Sequence, residues 1–362
     1  MARTEFQRPG ENNAVHSLTY MPQLDSLRAI SVLLVIYTHF WPENLWLFGI
    51  YWGGLGVRCF FVLSGFLITS ILLRDDRPFG SLYAAFISRR AIRLYPILLV
   101  TLAVAFALNI GTIKETIPWN ATYLTNFYIV VVNAWPRGSQ HLWSLAVEEQ
   151  FYLVWPFVIF FVPRRFLPPV FVALILFAIA FRIVWRALGW GDLGAWILPP
   201  GSFDALAMGA LLAFCGGKIR YLEIAAGVCV LIYAACVPYM TPPTLFRHGP
   251  ESWLVADVEI HQTVAAVVFA WIIAKASVGF KGIIGKVLDF PTLRYLGMIS
   301  YGIYVLHGFV FEYVRTHEVR GTKIVSVIVT IGLAALSWHF LERPIKRIGR
   351  KAITAYTPPG AT

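Results

Sequence analysis

Apolar runs approaching twenty residues recur along this chain, and they restrict its fold more than any other feature. A hydrocarbon core ~30 Å thick is crossed by about 20 residues of helix, and a helix in lipid keeps its backbone hydrogen bonds internal. Ten candidate spans are read near 24–41, 55–73, 94–111, 142–162, 168–186, 203–215, 221–238, 259–274, 295–314 and 324–341. The sixth and eighth are short or polar, which suits tilted, broken or re-entrant segments. Residues 119–132 are apolar enough to dip into the interface, and Pro168-Pro169, Pro199-Pro200 and Pro242-Pro243 punctuate the spans. Composition agrees: 58% of the 362 residues are apolar and 14% charged, with a mean hydropathy of +0.67. So few charges cannot wet the surface of a soluble domain of this size. A soluble enzyme, a disordered chain and a secreted disulfide scaffold are thereby excluded. The expected fold is an all-α integral membrane bundle of about ten transmembrane helices.

The net charge of +11 does not form a nucleic-acid patch, because the basic residues sit between apolar runs. With the N-terminus inside, 21 of the 30 Lys and Arg fall in cytosolic segments and seven in outer ones, while Arg58 and Arg182 lie within spans. This bias predicts an even span count, both termini cytosolic, in the inner or plasma membrane. Residues 1–20 are polar and show no cleavable signal, so they read as a cytosolic tail. Residues 21–347 form one membrane domain and 348–362 a second cytosolic tail. Cys59, Cys215, Cys229 and Cys236 lack CxxC spacing and read as small buried hydrophobes. Asn120-Ala121-Thr122 fits a glycan acceptor pattern.

Ionisable groups inside spans each need a reason, since one charge at mid-bilayer costs ~2.5–3.5 kcal/mol on insertion scales. Arg28 and His39 are eleven residues apart, so they share a helix face about 16 Å apart along the axis. That spacing suits a ligand with an anionic head and a distant reacting atom; equally, Arg28 snorkels and His39 caps the outer end. In the fourth span His141, Ser144, Glu148, Tyr152 and Trp155 recur every three or four residues as a polar stripe. The adjacent Glu148 and Glu149 are either a structural buried pair or part of a site. Arg90 and Arg93, one turn apart, are either a positive-inside anchor or a phosphate clamp. His307, His261 and His339 are scattered and read as packed or interfacial. No metal-ligand spacing, P-loop, dinucleotide fingerprint or serine-nucleophile elbow is present.

Six motifs in order resemble the acyltransferase-3 family of multi-pass membrane acyltransferases, over roughly residues 20–347. They are Leu24-Asp25-Ser26-Leu27-Arg28-Ala29 with His39, Gly56 to Ile68, Arg89 to Pro96, Trp143 to Tyr152, Ser300 to His307, and Glu342-Arg343-Pro344. Two departures stand out. Ser202 precedes Phe203-Asp204-Ala205-Leu206 where the family has Arg, and Gly308-Phe309 follows His307 where a proline is frequent. Many relatives append an extracytoplasmic esterase-like domain, and this chain is not expected to carry one.

The resemblance implies transfer of an acyl group, commonly acetyl, from acyl-coenzyme A to a hydroxyl of a carbohydrate or glycoconjugate. No tightly bound cofactor or metal is expected; the donor is a substrate. Arg28, Arg90 and Arg93 would hold its phosphates, and neutral His39 would act as general base with Glu148 orienting the imidazole or stabilising its charge. Ser64, Ser144 and Tyr152 are candidate substrate or thioester contacts. An acyl-histidine intermediate is an open alternative. The rival class is a transporter or flippase of a lipid-linked or acylated substrate, since intramembrane charges also mark transport pathways.

Overall fold

The computed structural model describes residues 20–41, 46–47, 50–236 and 256–355. Helix α1 (Pro22–Phe40) starts with proline at its first turn, where the missing N–H has no partner to lose, and carries Asp25 near its positive N-terminal end. A two-residue antiparallel pair, β1 (Trp46–Leu47) and β2 (Ile50–Tyr51), leads into α2 (Trp52–Leu72). There follow α3 (Phe79–Ala107), α4 (Ile113–Ala121), α5 (Thr125–Val132), α6 (Leu142–Phe161), α7 (Leu167–Ala187) and α8 (Asp192–Ile197). The second half holds α9 (Phe203–Phe214), α10 (Leu222–Cys236), α11 (Ala256–Val278), α12 (Gly282–Leu288) and α13 (Pro291–Met298). It ends with α14 (Ser300–Thr316), α15 (Thr322–Ser337) and α16 (Arg343–Ala355), the last two joined by a π-helical turn at Trp338–Glu342.

Among the described residues, six helical stretches are long and apolar enough to cross a membrane: Trp52–Leu72, Phe79–Ala107, Leu142–Phe161, Arg164–Ala187, His261–Val278 and Thr322–Gly349. The chain is a multi-pass membrane protein. Side chains such as Val131, Val154, Leu231 and Ile328 face outward, which only a lipid surround makes favourable. Other expected spans take different forms. The 203–215 run is the 12-residue α9, about 18 Å long and packed inside the bundle. The 295–314 run breaks at Ile299 into α13 and α14. The 119–132 run breaks around Tyr123, whose φ of 55° is left-handed. The third run begins well before residue 94, because nothing between Phe79 and Ala107 stops the helix and Pro96 lies inside it; Arg89, Arg90 and Arg93 are therefore helical.

Helix α2 is the hub, packed against α1, α6, α9 and α11. Its crossing with α9 is close because two glycines face opposing backbone: Gly65 lies against the Leu206 carbonyl and Gly209 against that of Val62. A Cβ at either position would overlap main chain, so the pair fixes the approach of the two helices. The apolar core around this crossing includes Phe61, Val62, Phe66, Leu206 and Ala210.

The described cysteines Cys59, Cys215 and Cys229 are unpaired, and the side chain of Cys236 lies outside the described residues. Cys59 is buried, whereas Cys215 is exposed and Cys229 half-buried. Asn120 is buried. Its amide donates to Thr116 Oγ1 at 3.0 Å and its carbonyl accepts from Thr125 Oγ1 at 2.8 Å. That side chain belongs to packing, and the glycan pattern there is inaccessible.

Candidate active site

Five helices converge on a cavity of about 180 Å3. Helix α1 contributes Arg28, α2 Ser64, α3 Arg90 and Arg93, α6 Ser144, Glu148, Glu149 and Tyr152, and α14 Tyr304. The three- and four-residue spacing on α6 places its polar residues on one side of the helix, as the periodicity requires. Ser64 Oγ donates to Glu148 Oε1 at 2.8 Å, and Tyr152 Oη donates to Ser64 Oγ at 2.8 Å. The Arg90 guanidinium lies 4.7 Å from the centre of the Tyr152 ring, a cation–π contact that holds the arginine over the cavity. Arg28 is ion-paired to Asp25 at 2.5 Å. Glu149 Oε1 is buried without a hydrogen-bond partner. Three arginines against two carboxylates make the lining suited to an anionic ligand.

A second, smaller cavity of about 30 Å3 holds His39, Arg58, Tyr51, Trp143, Trp196 and Ser202, with Val57, Phe61 and Tyr304 common to both. His39 Nδ1 is 2.9 Å from His307 Nε2, and His307 Nδ1 is 2.7 Å from the Tyr304 carbonyl oxygen. A carbonyl can only accept, so His307 Nδ1 carries a proton. Neutral His307 then accepts at Nε2, His39 donates from Nδ1, and the lone pair of His39 is left on Nε2. His141 packs against His307 with ring centres 4.3 Å apart and planes tilted by 53°, and it reaches the Val305 carbonyl from Nε2 at 3.1 Å. Gly308 is required here: a Cβ would collide with the His141 ring. The glycine after His307, unusual against the family pattern, thus makes room for a third imidazole. Among the described residues, no three His, Cys, Asp or Glu side chains are grouped as a metal site needs.

Beside this cavity lies a buried charge cluster. Asp204 accepts from Arg58 at 2.7 Å, from Arg182 at 3.0 Å and from Thr263 at 2.7 Å. Both arginines also reach the Gly201 carbonyl. Arg182 and Asp204 are fully buried. Ser202 therefore leaves Asp204 well paired, because the guanidiniums come from α2 and α7 instead of the adjacent residue.

The structure brings Arg28, Arg90, Arg93, Ser64, Ser144, Glu148 and Tyr152 to the larger cavity and His39 to the smaller. The group on His39 Nδ1 is His307, while the hydrogen bonds of Glu148 come from Ser64 and Tyr152. The role of His307 was missed from sequence; the signal was an imidazole inside an apolar span, the rule already applied to His39. Arg58 and Arg182 were noted as intramembrane without their shared partner. His339 pairs with Tyr295 at an exposed position, and His261 lies tilted against the Tyr233 ring.

A family model described as an acyltransferase domain, Acyl_transf_3, matches residues 21–341. "Putative O-acetyltransferase SAR0937" of Staphylococcus aureus strain MRSA252 is 28% identical over 392 residues, covering 94% of this chain and 60% of that protein. "O-acetyltransferase OatA" of Staphylococcus aureus strain NCTC 8325 is 27% identical over 372 residues, covering 95% and 60%. The chain thus spans about 60% of the length of these relatives. No solved structure matches it. With the family model covering residues 21–341, most of its length, the chain belongs to the acyltransferase-3 family.

Proposed function

We propose that this chain is a membrane O-acyltransferase moving an acyl group, most simply acetyl, from acyl-coenzyme A to a hydroxyl of a carbohydrate or glycoconjugate. Arg28, Arg90 and Arg93 hold the donor phosphates, guanidinium being well matched to phosphate geometry. The pantetheine arm runs along α2. From Gly53 to Ile71, the limits of that helix's lining of the two cavities, the path is about 27 Å, close to the hydrocarbon thickness. The thioester so reaches His39. Ser64, Ser144 and Tyr152 contact it on the way.

At His39 the acceptor hydroxyl loses its proton to Nε2 as its oxygen bonds the thioester carbonyl carbon. The tetrahedral intermediate collapses with cleavage of the C–S bond, and the imidazolium returns the proton to the departing thiolate. His307, accepting from Nδ1, holds the ring in the tautomer that leaves Nε2 basic. Glu148 adds negative charge that favours the transient imidazolium. Ten spans with both termini cytosolic, in the plasma or inner membrane, fit the positive-inside bias and place the arginine-lined cavity on the donor side.

The observation that carries this reading is the pairing of His39 Nδ1 with the hydrogen-bond-accepting Nε2 of His307 next to an arginine-lined cavity. Mass spectrometry of surface glycans and secreted glycoconjugates, from cells with and without the gene, tests it. Loss of one acetyl per acceptor on deletion is expected; unchanged glycans together with a changed distribution of an unmodified substrate across the membrane would favour transport instead.

A further inference from the structure

The two cavities meet at one wall. Val57 and Phe61 from α2 and Tyr304 from α14 line both. Four residues apart, Val57 and Phe61 share a helix face. This wall is braced on each side. Phe61 is buried and meets Trp143 edge-on at 6.2 Å. Tyr304 hydrogen-bonds Ser144 through its hydroxyl, donates to the His141 carbonyl at 3.0 Å, and has Phe60 edge-on at 6.1 Å. Phe61 and Tyr304 cannot swing away without breaking those contacts.

The space beyond the wall is small. The His39 cavity is about 30 Å3, room for roughly two or three water-sized groups. An acetyl group beyond its sulfur has three heavy atoms: the carbonyl carbon, its oxygen and a methyl. Each further methylene has to fit among the side chains that line this space, with Val57, Phe61 and Tyr304 at its border with the larger cavity.

We propose that Val57, Phe61 and Tyr304 select the acyl chain, admitting a two-carbon acyl group to His39 and rejecting longer ones. This rests on the reading of acyl-coenzyme A as donor. One methylene that an apolar pocket cannot accommodate costs roughly 10- to 200-fold in kcat/KM, so a rigid wall here sets the donor rather than merely tuning it.

The test is release of free coenzyme A from acetyl-, propionyl-, butyryl- and hexanoyl-coenzyme A by the purified full chain in detergent, with water as acyl acceptor. The wild type is expected to prefer acetyl over butyryl by about 100-fold or more. Val57→Ala and Phe61→Leu are each expected to bring that ratio below about 10-fold. Thermal unfolding checks that both fold; Val57→Ala trims a half-buried side chain and stands alone if Phe61→Leu does not. Equal use of acetyl and butyryl donors by the wild type overturns the selector. So does a chain-length profile that neither variant moves. Thiol release from none of the four donors overturns the donor reading itself, a result distinct from the other two.

Discussion

His39 and His307 meet Nδ1 to Nε2 at 2.9 Å across the contact of α1 with α14. The Tyr304 carbonyl, 2.7 Å from His307 Nδ1, fixes the direction of both hydrogen bonds. Positioned acid–base groups supply roughly 10²–10⁴-fold in rate. His307→Ala should therefore lower kcat for acyl transfer by about 10²-fold, with little change in the KM for donor. His307→Gln, whose carbonyl oxygen can still accept from His39, should recover part of the loss. A merely structural role for His307 would show as equal losses in both variants and a lower melting temperature.

Arg90 and Arg93 face the larger cavity, where Arg90 is held over Tyr152. A charge-assisted hydrogen bond is worth ~1.5–3 kcal/mol, so Arg90→Ala or Arg93→Ala should raise the donor KM by about 10- to 100-fold. Lysine at either position should restore charge but not the paired geometry, leaving an intermediate KM. Steady-state kinetics with varied acetyl-coenzyme A reads both effects.

Asp204 is shared by Arg58 and Arg182. Removing the carboxylate strands two buried guanidiniums, and breaking a buried pair this way costs ~3–5 kcal/mol. Arg58→Met leaves a one-to-one pair of Arg182 with Asp204 and should cost less than Asp204→Ala. Thermal unfolding in detergent orders the two variants; the reverse order would remove the charge cluster from the account of stability.

Asp75, in the turn between α2 and α3, is held below its ordinary carboxyl value of 3.8 chiefly by its hydrogen bond from Arg77. Its folded value is depressed, so its contribution to stability is present above about pH 4 and lost as pH falls through the lower folded value. Asp75→Asn should lower the melting temperature slightly at pH 7. The difference from wild type should shrink as pH falls below about 4.

Much of the site was legible in sequence. Regular helix spacing put Ser144, Glu148 and Tyr152 on one stripe, and all three line the larger cavity; it also put Arg28 in line with His39, which the structure divides between the larger and the smaller cavity. Spacing within one helix says nothing about which helix faces it. That is why His307, 268 residues from His39, and Asp204, 146 residues from Arg58, emerged only from packing. Span limits were less legible for a related reason. Apolar composition marks what is out of water but does not separate lipid-facing helices from α9, which is apolar because the bundle surrounds it.

His39 is the proposed proton acceptor in acyl transfer. The most direct measurement is release of coenzyme A from acetyl-coenzyme A by purified His39→Ala, at the same folded amount as wild type and with the same donor affinity. Transfer slowed by about 10³-fold, with donor binding retained, is the predicted result. A His39→Ala protein that turns over at the wild-type rate would contradict it.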